Sequence, residues 1–588
     1  MRNHTLQRLG MLLVALLACS AVASPQWLKA PTPTAAQGGP FKPGTVALQL
    51  TDGSIMVQQN ASPFWWKLTP DEHADYNNGT WSQLAPSILP GPLGSLVVYA
   101  PSDFASAVLP SGKVIVIGGE YLAGVAGQVL TTLGAIYDPV ANTWKRVPPP
   151  QGWSTIGDSP SVVLPNGTFM LGQKLSNQVA LLDEATLSWK IVTGPNGSGT
   201  GKYDWNEEEG WTLLPNGKVL AVDTYENAPD KGTPGGPGTR TNASEVFTPS
   251  PGTIADPVGT WTSAGNTVKP LSSLEYICPR TATGKYRTGA HETGPAVLRP
   301  DGTVFATGVY VCNASEGGGG GAGHTAIYDP NAGATGTWKA GPDIPCDFVI
   351  SPSAPYQLEF VCNDMADAPA AVLPDGNVLV QTSPGVNNKP STFYEFNLAI
   401  SLFSPPIPPP PGFNQSSSEF GRMLVVASGH VFYMHTGQSD GMWLYVPTGT
   451  HNPIWEPIIS GVTDDATCLV PGCITRGQTY TVSGLQLNGL TGGAAYGDEN
   501  QSASNYPLVL IQNCASGHKY FARTFAFSTM AVATGFSVLV TANFTVAPNT
   551  ELGPSSLIVI ANGIPSQPFG AGCGRNGGYF TVYSATAN

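Results

Sequence analysis

One short phrase returns seven times in this chain and constrains its fold more than anything else. An apolar run leads into a tight turn closed by glycine, and β-branched residues follow. The closing glycines are Gly53, Gly112, Gly167, Gly217, Gly302, Gly376 and Gly429. The clearest copy reads Ser106-Ala-Val-Leu-Pro-Ser-Gly-Lys-Val-Ile-Val-Ile-Gly-Gly119. Two β-prone runs around Pro-X-Gly predict a hairpin. A second half follows in Ala135-Ile-Tyr-Asp-Pro-Val-Ala-Asn-Thr-Trp144: a third strand, a turn, and a fourth strand carrying Trp. Ile327-Tyr-Asp-Pro330 with Trp338 repeats that half, and Trp81, Trp189, Trp261 and Trp455 hold the same place in other copies. In the sixth copy Phe403 substitutes for the Trp.

Four antiparallel strands per unit, repeated at roughly fifty-residue intervals, predict the blades of a β-propeller. One blade cannot bury both of its faces, so blades pack radially and the tryptophans fill the gaps between them. Trp27, in Gln26-Trp-Leu-Lys-Ala30, reads as a surplus fourth strand that completes the last blade and closes the ring. Thr233 to Thr241 and Gly317 to Gly321 read as loop insertions, and Trp65-Trp66 and Trp205 with Trp211 as loop aromatics. Past Ser460 the phrase stops. Strand-like runs at Gly477–Ser483, Tyr506–Ile511 and Ser556–Ala561, separated by Gly, Asn and Pro, predict an immunoglobulin-like β-sandwich. The expected class is all-β: a propeller over residues 24–459, then a sandwich over 460–588.

Residues 1–23 read as an export signal. Arg2 and Arg8 form a basic start, Leu9 to Ala18 is too short an apolar run to span a bilayer, and Ala21-Val-Ala23 is a small-residue cleavage site. Leu16-Leu-Ala-Cys19 also reads as a lipoprotein box, the less favoured alternative. A secreted, periplasmic or cell-surface protein is expected, without a transmembrane segment and as a monomer. The net charge of -13 carries no basic stripe, which argues against a nucleic-acid partner. Eight cysteines remain beyond Cys19, and an even count in an exported chain suggests disulfides. Eight allow 105 pairings. The two favoured are Cys468 with Cys473 and Cys514 with Cys573. No pair has zinc-ligand spacing with nearby histidines.

The chemistry-bearing pattern lies upstream of the turns. Nine residues before the turn glycine stand Asp103, Asp158, Glu208 and Asp367, and one residue earlier in register stand Glu292 and Glu419.

The phrase Leu-Pro-Ser-Gly-Lys-Val-Ile-Val-Ile-Gly-Gly, then Tyr-Asp-Pro, then Trp, resembles the kelch repeat. Seven such blades followed by an early-set domain resemble the galactose oxidase and glyoxal oxidase superfamily. Tyr496-Gly-Asp-Glu-Asn-Gln501, Tyr506-Pro-Leu-Val509 and Val559-Ile-Ala-Asn-Gly-Ile-Pro-Ser566 resemble its C-terminal domain. The resemblance implies one copper held by two tyrosines and two histidines, with one tyrosine cross-linked to cysteine. Those ligands come from the starts of innermost strands and from the C-terminal domain. The matching positions here are Gly44, Asp103, Asp158, Glu208, Thr293, Asp367 and Phe420, and no histidine lies between His451 and His518. Copper is therefore not expected.

In a propeller the six acids converge at one end of the central channel. Two unit charges 8 Å apart repel by about 0.5 kcal/mol in water and about 2 kcal/mol at an effective dielectric of 20. A cation neutralises such a ring, or some acids stay protonated, or arginine and backbone donors satisfy them. Oxygen-only ligands suit Ca²⁺ or Mg²⁺. Three readings follow: a binder of a glycan, small molecule or cation at the acidic channel end; an oxidoreductase or carboxylate-based enzyme; and a structural or adhesive protein whose acids tie blades together. Arg422, close to Glu419, is expected to pair with it, and His291 beside Glu292 and His324 add weak candidates.

Overall fold

A computed structural model describes residues 26–584, apart from 35–39, 193–201, 207, 224–242, 251–258, 273–291, 311–320, 351–357, 414, 464–472, 498–501, 570–572 and 574–579. The signal segment, Cys19, the insertion at 233–241, residues 317–320 of the second insertion and His291 lie outside the described residues. No helix among the described residues is long and apolar enough to cross a membrane.

Seven antiparallel sheets form a propeller. Their innermost strands are Pro43–Gln49, Ala105–Val108, Ser161–Val163, Trp211–Leu213, Ala296–Leu298, Ala370–Val372 and Gly421–Val425. Each runs into one of the seven turn glycines, all at φ between 76° and 86°. In each turn the glycine N–H donates to the carbonyl three residues back, as Gly112 does to Leu109 at 2.8 Å. A type I turn followed by a left-handed residue matches the twist of the paired strands. At Gly53 a side chain has no room either: a Cβ would sit 2.2 Å from the Phe521 ring.

Gln26–Lys29 pairs with Met442–Val446 as the outer strand of the seventh blade, so the chain's start closes the ring it later completes. Trp27 and not Trp455 therefore holds the fourth-strand place there. Trp455 sits in the 3₁₀ turn Pro453–Trp455 that leads to the second domain. The other tryptophans stitch blades together. Trp81, Trp144 and Trp189 donate to the carbonyls of Pro31, Ala85 and Pro148 in the preceding blade's exit, and Trp27 does the same to Pro408. Phe403 packs on Phe396 in the sixth blade and on Phe305 of the fifth, and the sixth blade's outer edge is made by isolated bridges and no full strand. Trp65 and Trp66 are buried in the strand Trp65–Thr69, and Trp211 is buried in an innermost strand, against the loop expectation. Burying so large an indole releases more apolar surface from water than a loop would.

The C-terminal sheet runs through eight neighbouring strands between Ile458–Val462 and Cys473–Thr475 and encloses Tyr480, Val482, Leu510, Phe544 and Val559. It docks on the turn face of the propeller. Ala526 and Met530 donate backbone N–H groups to the Pro110 and Pro165 carbonyls at 2.7 and 2.9 Å. From this face one segment enters the channel: Ala494–Ala495 pairs antiparallel with Ala370–Ala371 as an extra innermost strand. Cys514 bonds to Cys573 as expected, and Cys346 to Cys362 across the hairpin Cys346–Ile350 and Leu358–Cys362, a pairing the sequence reading did not single out. Cys473 is disulfide-bonded, while Cys468 lies outside the described residues.

Candidate functional site

The sandwich covers the turn ends of the innermost strands, so the opposite channel mouth is left to the residues that precede those strands. A cavity of about 400 Å³ opens there, lined by Asp103, Asp158, Glu208, Glu292, Asp367 and Glu419 together. All six acids singled out by their distance from the turn glycine thus meet in one space. Asp103, Glu208 and Asp367 reach it through the same backbone device, a left-handed residue at φ 52°, 53° and 44°. Such a conformation costs a non-glycine residue on the order of 1 kcal/mol. It is repeated in three blades where the chain swings from the connecting loop into the innermost strand.

The acids divide by their partners. Asp103 forms an ion pair with Arg422 from the seventh blade at 3.2 Å. Arg422 does not bond the Glu419 carboxylate, as expected from sequence, but donates to the Glu419 carbonyl at 2.6 Å. The Glu419 carboxylate accepts the Asn387 N–H at 2.7 Å. Lys174, two residues past the second strand of the third blade, reaches Asp158 and, at 2.6 Å, Glu208. Burial opposes the Lys174 charge, but Glu208 and Asp158 outweigh it and hold the ammonium well above the lysine range. The Asp103–Arg422 and Lys174–Glu208 contacts each join two blades.

Glu208, Glu292 and Asp367 remain as a cluster. Each brings one carboxylate oxygen within 4.8 Å of the others. Glu292 Oε2 is buried without a hydrogen-bond partner, and so is Asp158 Oδ1. Burial, then Asp367 and Glu208, push Glu292 well above the carboxylate range. Burial, then Glu208, push Asp367 up to about 8. Protonation of one of the two relieves the repulsion.

Three groups at this mouth were not legible in the sequence. Glu120 lines the cavity from beyond the second strand of the second blade, and burial raises it. Lys174 is the second. The third is Tyr496, delivered by the segment that follows Ala494–Ala495 up the channel. Its hydroxyl donates to the Glu419 carbonyl at 2.9 Å, and the Arg422 guanidinium lies 3.6 Å from its ring centre. His324 lies away from the cavity lining and bonds Asp343 at 2.7 Å. His435 stacks on Phe420, with its ring nitrogens engaged by Ser416 and the Thr436 carbonyl. The described cavity walls offer carboxylates and two tyrosines, Tyr121 and Tyr496, with no histidine or cysteine.

Comparison with solved structures finds related shapes at low identity. A fungal alcohol oxidase of the AA5 family, in complex with copper, is similar at 13% identity and a TM-score of 0.45 over 95% of this chain and all of that one. Virginiamycin B lyase from Staphylococcus aureus is similar at 10% identity and a TM-score of 0.38, over 72% of this chain and 99% of that one. No family model and no curated protein matches the sequence.

Proposed function

We propose that this chain is an exported kelch-type propeller that binds a cation, or a glycan or other small molecule, at the carboxylate-lined channel mouth, without copper-radical oxidase chemistry. One observation carries the reading: Glu208, Glu292 and Asp367 place three carboxylate oxygens within 4.8 Å of one another on the wall of an open cavity. Oxygens bound to a common Ca²⁺ at about 2.4 Å lie no more than about 5 Å apart. The spacing therefore fits a hard cation. The described lining residues supply mainly carboxylate oxygens, which suit a hard cation better than copper. Asp158 Oδ1, also without a partner, adds a further acceptor for a cation's water or a ligand hydroxyl.

Calorimetric titration of chelator-treated protein with Ca²⁺ and Mg²⁺, beside a Glu208→Gln/Asp367→Asn variant, tests this. Binding in the parent with an enthalpy component lost in the variant is expected. Stoichiometric copper with peroxide formed from an alcohol or aldehyde would overturn the proposal and restore the oxidase reading.

A further inference from the structure

A second acidic cluster lies in the fourth blade, and none of its members is among the described residues that line the channel cavity. Its members come from three places in that blade. Lys202, Asp204 and Glu209 stand on the approach to the innermost strand Trp211–Leu213. Asp223 directly follows the second strand Val219–Val222, and Glu245 lies in the third strand Ala243–Thr248. All are sealed: Lys202 is 3% exposed, Asp204 and Glu209 0%, Asp223 1% and Glu245 5%. Among the described residues, four carboxylates gather around the Lys202 ammonium.

That ammonium makes several contacts among the described residues. Lys202 Nζ donates to the Asp204 carbonyl and to Glu209 Oε2, both at 3.1 Å, lies 3.5 Å from Glu245 Oε2, and sits 5.4 Å from the Trp261 ring centre. Glu245 also accepts the Tyr203 and Asp204 N–H groups at 2.9 and 3.1 Å, and Glu209 accepts the Trp211 indole N–H at 2.9 Å. Asp223 has no such provision, for its Oδ1 is buried without a hydrogen-bond partner. Its carboxylate nevertheless brings an oxygen within 4.8 Å of one from Asp204 and one from Glu209. A buried carboxylate oxygen with no donor costs several kcal/mol unless something positive faces it.

We infer that Asp204, Glu209 and Asp223 hold a buried Ca²⁺ that staples the approach to the innermost strand of the fourth blade to the end of its second strand. The donor set is oxygen only and rich in formal charge, which selects a hard cation over zinc or copper. Lys202 and Glu245 stand beside the site as a neutralising pair. Since the ion binds only the assembled blade, it stabilises the folded state by mass action.

Trp211 supplies the optical test, because its indole bonds a ligand carboxylate and can sensitise Tb³⁺, a Ca²⁺ surrogate. Chelator-treated protein is titrated with Tb³⁺ under tryptophan excitation and then with Ca²⁺. Sensitised emission that Ca²⁺ displaces, and a thermal midpoint that rises with Ca²⁺, are expected. In Asp223→Asn the Ca²⁺ affinity falls by about tenfold or more, because one charged ligand is lost. The Glu208→Gln/Asp367→Asn channel variant retains one Ca²⁺ by native mass spectrometry, and this second measurement decides if Asp223→Asn fails to fold. A channel variant that holds no Ca²⁺, or an Asp223→Asn protein whose affinity is unchanged, overturns the inference. The readout separates this site from the channel mouth, which that variant disables.

Discussion

The third and fourth blades carry the same pair of ideas in opposite surroundings. In each, a buried lysine bridges two carboxylates: Lys174 joins Asp158 and Glu208, and Lys202 joins Glu209 and Glu245. The Lys174 group faces a cavity of about 400 Å³, and its Glu208 side chain is 18% exposed. The Lys202 group is closed, with both ends of its Glu209 pair at 0% exposure. Acidic charge alone does not mark a ligand site. What an acid can do depends on whether water, a lysine or an exchangeable ligand is able to reach it, and here one blade boundary separates the cases.

The sharpest way to break the comparison is to remove each lysine. Lys202→Met removes the described ammonium from among four sealed carboxylates. The expected loss in stability is about 3–5 kcal/mol, the range for breaking a buried pair from one side, read by urea denaturation in chelator. Ca²⁺ recovers part of it if the buried ion is present. Lys174→Met costs less, about 2 kcal/mol, because Glu208 turns to cavity water instead. It also strengthens cation binding at the channel mouth by removing a competing positive charge. Equal losses in the two variants would erase the distinction between an open and a sealed cluster.

A pH series sharpens the same contrast. Asp367 is pushed up to about 8 in the folded protein, first by burial and then by Glu208. The unfolded chain releases that proton near pH 4. Between roughly pH 4 and 8 the folded state therefore binds more protons, and cation-free stability falls as pH rises through this window. The cation must displace the proton, so its affinity at the mouth climbs toward pH 8, by at most about tenfold per pH unit for one proton. Asp367→Asn flattens the climb. Titration calorimetry at several pH values checks this, and an affinity independent of pH would mean that Asp367 is not a ligand.

The legibility of these regions in the sequence follows from the range of their contacts. A turn glycine, its hairpin and the acid nine residues upstream fall within one local phrase, so Gly112 and Asp103 could be read together, as could Gly376 and Asp367. The ring closure by Gln26–Lys29 was legible because a Trp-bearing strand without a blade needs a partner sheet. Lys174 was not, because its two carboxylates lie 16 and 34 residues along the chain. Tyr496 reaches Glu419 across 77 residues and from the other domain. The cluster of Asp204, Glu209, Asp223 and Glu245 was missed for a different reason. These residues share no repeat position, and they meet only because the innermost, second and third strands of one blade lie side by side.

The smallest expected effect tests a seam between blades remote from both clusters. Trp144 packs on Trp65 and Tyr137, with ring centres 5.3 and 5.1 Å away, and donates its indole N–H to the Ala85 carbonyl at 2.8 Å. Trp144→Phe keeps an aromatic ring between the first and second blades and removes the hydrogen bond and part of the buried area. The loss is about 1 kcal/mol, that of one net hydrogen bond, with a modest addition from packing. Cation affinity at the mouth and inside the fourth blade stays at the parent value, because neither carboxylate set touches this seam. Denaturation and calorimetry on the same sample check both halves. A drop in affinity without a larger stability loss would show that the seam positions the channel acids, and the tryptophans would then belong to the site as well as to the packing.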